Sequence, residues 1–315
     1  MTSEAMSDAI SDTISDIMKS RPAKRTVVAV RVPLLLACLL LAPPALAQRL
    51  VVAGGAVTEM VYALGAQDQL IAVDDTSVWP PAARALPKIG YVRELPVEGI
   101  VSLRPDKVLV SADEAGPART LRQLERVTTV VPITATNSPE GVLARAQQVA
   151  KETGRVEAGA ALVAELQAAF ARINERLPLA QPPRVLCLLS AGGHGVRLAG
   201  QDTKAQALLD SLGLPNAVRD QRGYRPLSSE ALLALAPDMV IIAEARPGEF
   251  RADDWPALAM TPAGRAGRIL VADSMLLLGF GPRLPEAMTQ VLDVASGAGE
   301  ADVEIEREGG MAWSR

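Results

Sequence analysis

Short apolar runs alternate with amphipathic segments along most of this chain. "RLVVAGG" at residues 49–55 reads as a strand, and "AVTEMVYALGA" at 56–66 reads as a helix that ends at a glycine. "LIAVDD", "KVLVS" and "TTVVPI" continue the strand pattern, and the same grammar returns after residue 183. There "RVLCLLS" is followed by the helical "TKAQALLDSLGL", then by "DMVIIAEA" and "RILVAD". Buried strands alternating with helices predict an α/β fold built on mainly parallel sheets.

Between the two sets lies a stretch of strong helix formers, Ser138 to Leu177. Ser138 has the chemistry of an N-cap, and Pro139 suits the first helical position. Gly154 should break the stretch, leaving a second helix, Arg155 to Leu177, to cross between two lobes. The halves also share a phrase. "GYVRELPVEGIVSLRPDKVLV" and "GYRPLSSEALLALAPDMVII" align with one extra residue in the first. Glu98 then matches Glu230, Leu103 matches Leu235, Pro105 matches Pro237 and Asp106 matches Asp238, each 132 apart. A repeat of that length predicts two similar lobes rather than a solenoid. The expected architecture is two α/β lobes joined by a long helix, with a ligand cleft between them. The N-terminal lobe is placed at 48–137, the helical linker at 138–178 and the C-terminal lobe at 179–296.

The ends of the chain read differently. Basic residues from Lys19 to Arg31 precede the apolar run "VPLLLACLLLA", and Ala45 and Ala47 stand in small-x-small spacing. This predicts a cleavable secretory signal within 1–47, cut near Ala47/Gln48, and the run is too short to span a membrane. The product is expected in the periplasm. Residues 297–315 are acidic, lack apolar periodicity and read as a disordered tail. Only Cys187 remains after such a cut, so no internal disulfide is expected and the core must hold the fold.

Composition narrows the chemistry. A net charge of -4 with no basic patch argues against nucleic-acid binding. The single histidine, His194, has no G-x-S-x-G elbow to serve, and one Cys with one His cannot build a structural zinc site. "AGGAVTEM" lacks the G-x-G-x-x-G spacing of a dinucleotide fingerprint. An enzyme is not expected.

Tyr91 and Arg93, in "LPKIGYVREL", are the most suggestive pair. A phenolate is a hard anionic donor suited to ferric iron, and tyrosine is a known haem ligand. A free phenol ionises near pH ~10, and a permanently charged guanidinium beside it favours the phenolate. If the segment is extended, both side chains face one way. The plainer alternative is a loop tyrosine packed on a neighbouring proline.

The chain resembles the periplasmic haem-binding proteins of bacterial haem ABC importers. The resemblance runs over about residues 49–295 and rests on "GGAVTEMVYALGA", "VDDTSVWPPAARALPKIGYVRELPVEGIVSLRPD", "AGQDTKAQALLDSLG", "GYRPLSSEALLALAPD" and "TPAGRAGRILVADSMLLLGFGPRLPEA". It implies that Tyr91 is the axial ligand of the haem iron and that Arg93 supports its phenolate. It implies haem as transported cargo, and a dimeric inner-membrane permease with its ATPase as partner. An outer-membrane haem receptor would stand upstream, and the protein would act as a monomer. It also implies that Glu98 and Glu230, one per lobe, dock on permease arginines. Some members read L-S-H-G-G where this chain reads "LLSAGGHG", with Ala191 in place of a histidine that helps hold a second haem. One haem is therefore expected. Arg246, just after "DMVII", and His194 are further candidate cleft contacts. The rivals are a siderophore or cobalamin binder on the same fold and, from another class, an exported enzyme.

Overall fold

Each central strand sends alternate side chains to two different cores, which is what period-two alternation requires of a sheet covered on both faces. The computed structural model describes residues 48–190, 195–246, 248–251 and 255–297. In β1 (Leu50–Ala53), Leu50 and Val52 enter one cluster while Val51 and Ala53 enter another. In β3 (Lys107–Ser111), Leu109 joins the first cluster, and Val108 and Val110 join the second. The second half repeats this. In β5 (Val185–Ser190), Val185 and Cys187 point to the shared cluster while Leu186 and Leu188 point to a third. In β8 (Met239–Glu244), Met239 and Ile241 divide from Val240 and Ile242 in the same way.

The first sheet is wholly parallel, in the order β2-β1-β3-β4, with β2 at Leu70–Val73 and β4 at Thr129–Ile133. The second has the order β7-β6-β5-β8-β9, with β6 at Val196–Ala199, β7 at Tyr224–Pro226 and β9 at Ile269–Asp273. Here β5, β8 and β9 are parallel, as expected, but β6 and β7 run antiparallel. The reason is connection length. Only five residues separate β5 from β6, too few for the crossover that a parallel neighbour needs.

Helix α1 (Gly55–Ala63) follows β1, α2 (Val97–Ser102) precedes β3, and α3 (Ala118–Glu125) precedes β4. The helical stretch divides as anticipated into α4 (Pro139–Glu152) and α5 (Val156–Asn174). Ser138 Oγ accepts from the Gly141 amide at 3.2 Å, and Gly154 reverses the chain at φ 70. Gly159 is a packing requirement, because a Cβ there would lie 2.3 Å from Ala150 Cβ on α4. The rest comprises α6 (Lys204–Ser211), α7 (Ser229–Leu235), the short α8 (Pro262–Arg265), α9 (Ser274–Leu278) and α10 (Leu284–Ser296).

The shared cluster draws on α1, α4, α5, α6, α9 and α10 as well as on both sheets. The halves are thus joined by one continuous apolar core, and α5 is only part of the joint.

The repeated phrase acquires a physical meaning. Asp106 Oδ2 accepts from the Arg49 amide at 2.9 Å, and Asp238 Oδ2 accepts from the Arg184 amide at 3.0 Å. Arg49 Nη2 donates to the Leu103 carbonyl at 2.9 Å, and Arg184 Nη2 donates to that of Leu235 at 3.2 Å. Arg104 and Ala236, ahead of the two prolines, share a left-handed backbone at φ 48 and φ 43. Each Pro-Asp therefore clamps the start of one central strand to the helix that precedes its neighbour.

Candidate functional site

The Tyr91 segment is placed by a tightly bonded loop after β2. The buried Asp74 carboxylate accepts from the Gly54 amide at 2.9 Å and from Ser77 Oγ at 2.6 Å. Lys88 Nζ donates to the Ser77 carbonyl at 2.7 Å, drawing the loop's two ends together. The Asp75 amide donates to the Gly90 carbonyl at 2.9 Å, and Gly90 turns the chain out at φ 88, a region that favours glycine. The Glu94 amide then donates to the Tyr91 carbonyl at 2.8 Å, so Tyr91–Glu94 is a β-turn rather than the extended segment the sequence suggested. Val92 is buried at 2% exposure and anchors the turn, leaving Tyr91 at 46% and Arg93 also exposed. Among the described residues, neither the Tyr91 hydroxyl nor the Arg93 guanidinium makes a hydrogen bond.

The turn rests on the loop after β3. The Gly116 amide donates to the Val92 carbonyl at 2.9 Å, and a Cβ on Gly116 would meet the Arg93 carbonyl oxygen at 2.5 Å. Only glycine allows that approach. The same loop carries Asp113 and Glu114, and both pair with Lys204 at the start of α6 in the other lobe. Burial pushes the Tyr224 phenol on β7 up to about 12, with a smaller push from Cys187, and Arg93 partly offsets this. Arg93 thus acts electrostatically on the second lobe.

A second inter-lobe contact lies midway along α1. Arg283, ahead of α10, donates to Glu59 on α1 at 2.6 and 3.1 Å, and its guanidinium lies 4.7 Å from the centre of the Trp79 ring. Burial pushes the Glu59 carboxyl up to about 7, and the hydrogen bond and charge of Arg283 only partly offset it. Arg145 on α4 is fully enclosed and donates to the Phe280 carbonyl, tying the linker to the second lobe.

Glu98 and Glu230 occupy equivalent places, each the second residue of its helix and each exposed. The backbone amide of Glu230 and the Ser228 hydroxyl hold the Glu230 carboxyl below its usual range. Arg246 is exposed in the loop after β8, where the Glu244 carboxylate accepts from the Gly248 amide at 2.9 Å. No hydrogen bond or ion pair joins Arg246 to Tyr91 or Arg93 among the described residues. Ala191 and His194 lie outside the described residues. A cavity of about 410 Å³ borders Arg184 and Leu235, and one of about 530 Å³ lies between α4, α5 and α6. Neither contains Tyr91, which stands on an open face. No group of three or more His, Cys, Asp or Glu fit to hold a metal ion occurs among the described residues, nor any helix long and apolar enough to cross a membrane.

Residues 50–276 match the periplasmic binding protein family model. The chain belongs to the periplasmic binding protein family. Within it, the periplasmic haem-binding protein BhuT, solved in complex with two haems, is 40% identical, with a TM-score of 0.70 over 80% of this chain and 98% of that one. A periplasmic haem-binding protein from Pseudomonas aeruginosa is 34% identical with a TM-score of 0.70, over 80% of this chain and 94% of that one. The vitamin B12-binding protein of Pectobacterium carotovorum is 26% identical over 199 residues, 63% of this chain and 72% of that protein.

Sequence reasoning missed Lys204, Asp113, Glu114, Glu59, Arg283 and Tyr224. Tyr224 carried a signal, since it follows Gly223 in the second copy of the repeated phrase. The others are charged residues whose partners are 90, 91 or 224 positions away, and nothing local marks them.

Proposed function

We propose that this periplasmic binding protein captures haem on the open face beside Tyr91 and delivers it to an inner-membrane ABC importer. The observation that carries the reading is the Tyr91 turn. An exposed phenol is presented by a glycine-primed turn, next to a permanently charged guanidinium, on a chain 40% identical to a haem-binding protein. Tyr91 supplies the phenolate to ferric iron, and Arg93 stabilises that phenolate by its charge. Arg246 is a candidate contact for a haem propionate, and His194 a candidate second iron contact. Glu98 and Glu230 meet basic residues on a two-fold permease. The protein works in the periplasm after its leader is removed, holding its cargo without turning it over. Ala191 in place of a second-lobe histidine favours one haem per chain. The domain limits follow this division of labour, with lobes at 48–137 and 179–296, the helical linker at 138–178 and a tail beyond 296.

The test is a titration of apoprotein with ferric haem, read by absorption. A tyrosinate charge-transfer band saturating at one equivalent supports the reading, and the Tyr91→Phe protein should lose that band. The similarity to vitamin B12-binding proteins favours a second reading, a cobalamin cargo. It needs no phenolate, so a Tyr91→Phe protein that retained cobalamin while the parent ignored haem would establish it.

A further inference from the structure

The Tyr91 turn is backed by a loop that the opposite lobe holds. Gly116 places that loop against the turn, with its amide on the Val92 carbonyl at 2.9 Å and its α-carbon too close to the Arg93 carbonyl for any side chain. Three residues earlier, Ser111 Oγ donates to Asp113 Oδ1 at 2.8 Å and fixes one carboxylate. Lys204 Nζ lies 3.0 Å from Asp113 Oδ2 and donates to Glu114 Oε1 as well. All three side chains are largely enclosed, at 20%, 26% and 14% exposure, so solvent screens them less than an ordinary surface pair. Lys204 and its neighbours hold the Asp113 carboxyl below its usual range against the opposing effect of burial. Lys204 itself is the first residue of α6, capped by Thr203 Oγ1, which accepts from the Gln206 amide at 3.1 Å. It therefore moves with the second lobe.

We propose that Lys204 is a positioning residue that couples the spacing of the two lobes to the Tyr91 turn, so that drawing the lobes apart pulls on the support of the iron ligand. The path is short and continuous. It runs from α6 through Lys204 to the Asp113–Glu114 carboxylates, along two residues to Gly116, and across one hydrogen bond to Val92 at the centre of the turn. The charge of Arg145 on the linker helix acts on the same two carboxylates through space, with no ion pair to either among the described residues. A permease that gripped one lobe through Glu98 and the other through Glu230 would load this path directly. Cargo release would then follow from lobe separation without any group of the permease reaching the iron. The inference rests on Tyr91 being the ligand, and the experiment separates the two ideas.

Haem-loaded protein is mixed with an excess of a haem-scavenging apoprotein, and release is followed by absorption. The Lys204→Met protein should release haem about tenfold faster, in the range usual for loss of a group supporting a metal ligand, with a weakened or shifted charge-transfer band. Lys204→Arg should restore both. Asp113→Asn/Glu114→Gln removes the same contact from the other lobe and should reproduce the effect even if the Lys204→Met chain folds poorly. Adding Lys204→Met to that variant should bring no further acceleration. If Tyr91→Phe loses the band while both disrupted proteins keep the parent's rate and spectrum, Tyr91 stands and the coupling is wrong. Additive effects in the combined variant would also overturn it. If Tyr91→Phe keeps the band, the ligand assignment itself has failed.

Discussion

The two copies of the repeated phrase set a tyrosine after a glycine in each lobe, and the two phenols meet opposite fates. Tyr91 lies in a β-turn, 46% exposed, with Arg93 beside it. Tyr224 lies in β7, an edge strand paired with β6, and burial pushes its phenol up to about 12. One residue separates the copies. In the first lobe, Val92 takes the inward position and frees its neighbours to face solvent. In the second, the shorter Tyr-Arg-Pro run pairs along β6, and the ring packs against the shared core. A phenol raised this far is a poor source of phenolate near neutral pH. The comparison teaches that a tyrosine's neighbours in space, more than its motif, decide whether it can serve as an anionic ligand.

The comparison presumes that the lobes pack as described, and the largest expected effect tests that packing. Glu59 is buried against Arg283 of the other lobe, with its carboxyl pushed from 4.5 to about 7. Because the folded value is the higher one, its stability contribution is complete below pH 4.5 and lost as pH rises through 7. The stability of the parent should therefore fall relative to Glu59→Gln by roughly 3 kcal/mol across that window. Urea unfolding of both proteins at the two ends measures it. A constant difference would mean that Glu59 is not enclosed as described.

The tyrosines themselves come next. Tyr91→Phe should weaken haem binding about a hundredfold, close to 3 kcal/mol, while Tyr224→Phe should stay within about threefold. Equal losses in parallel titrations would erase the contrast between the copies. Smaller still is the contrast between the Pro-Asp clamps. Asp238→Ala frees a partly buried amide and should cost about 1–2 kcal/mol, whereas Asp106→Ala frees a more exposed one and should cost less. Thermal unfolding would rank the two, and the reverse order would show that burial of the freed amide does not set the cost. The smallest effect on cargo binding should come from Glu98→Ala/Glu230→Ala. Its haem titration should match the parent's while uptake by a reconstituted importer falls, and parental docking should weaken with added salt. Full uptake would remove both residues from docking.

Much of the molecule is legible in the sequence because the signals are local. The parallel strands at "KVLVS" and "DMVIIAEA", the Ser138 cap and the break at Gly154 each follow from a few neighbouring residues. The antiparallel β6 and β7 leave no clear mark in the sequence, since "VRLA" and "YRP" are short and carry charges. The sequence around Tyr91 suggests an extended segment, yet a turn forms because Val92 is buried beneath it and Gly116 approaches from behind.

The sequence alone determined the strand–helix alternation, the two-lobe repeat and the candidate phenol, because periodicity, capping and glycine placement act over a few residues. It also set the paired positions of Glu98 and Glu230, which the repeat carries in full. Tertiary structure decided which residues join the lobes. The shared apolar core through α1, α5 and α10, the Glu59–Arg283 pair and the hold of Lys204 on Asp113 and Glu114 all link residues far apart in the chain. Such contacts depend on the three-dimensional approach of elements whose own patterns say nothing of one another. The same holds for Tyr91 and Tyr224, since exposure and the local dielectric are properties of the packed molecule.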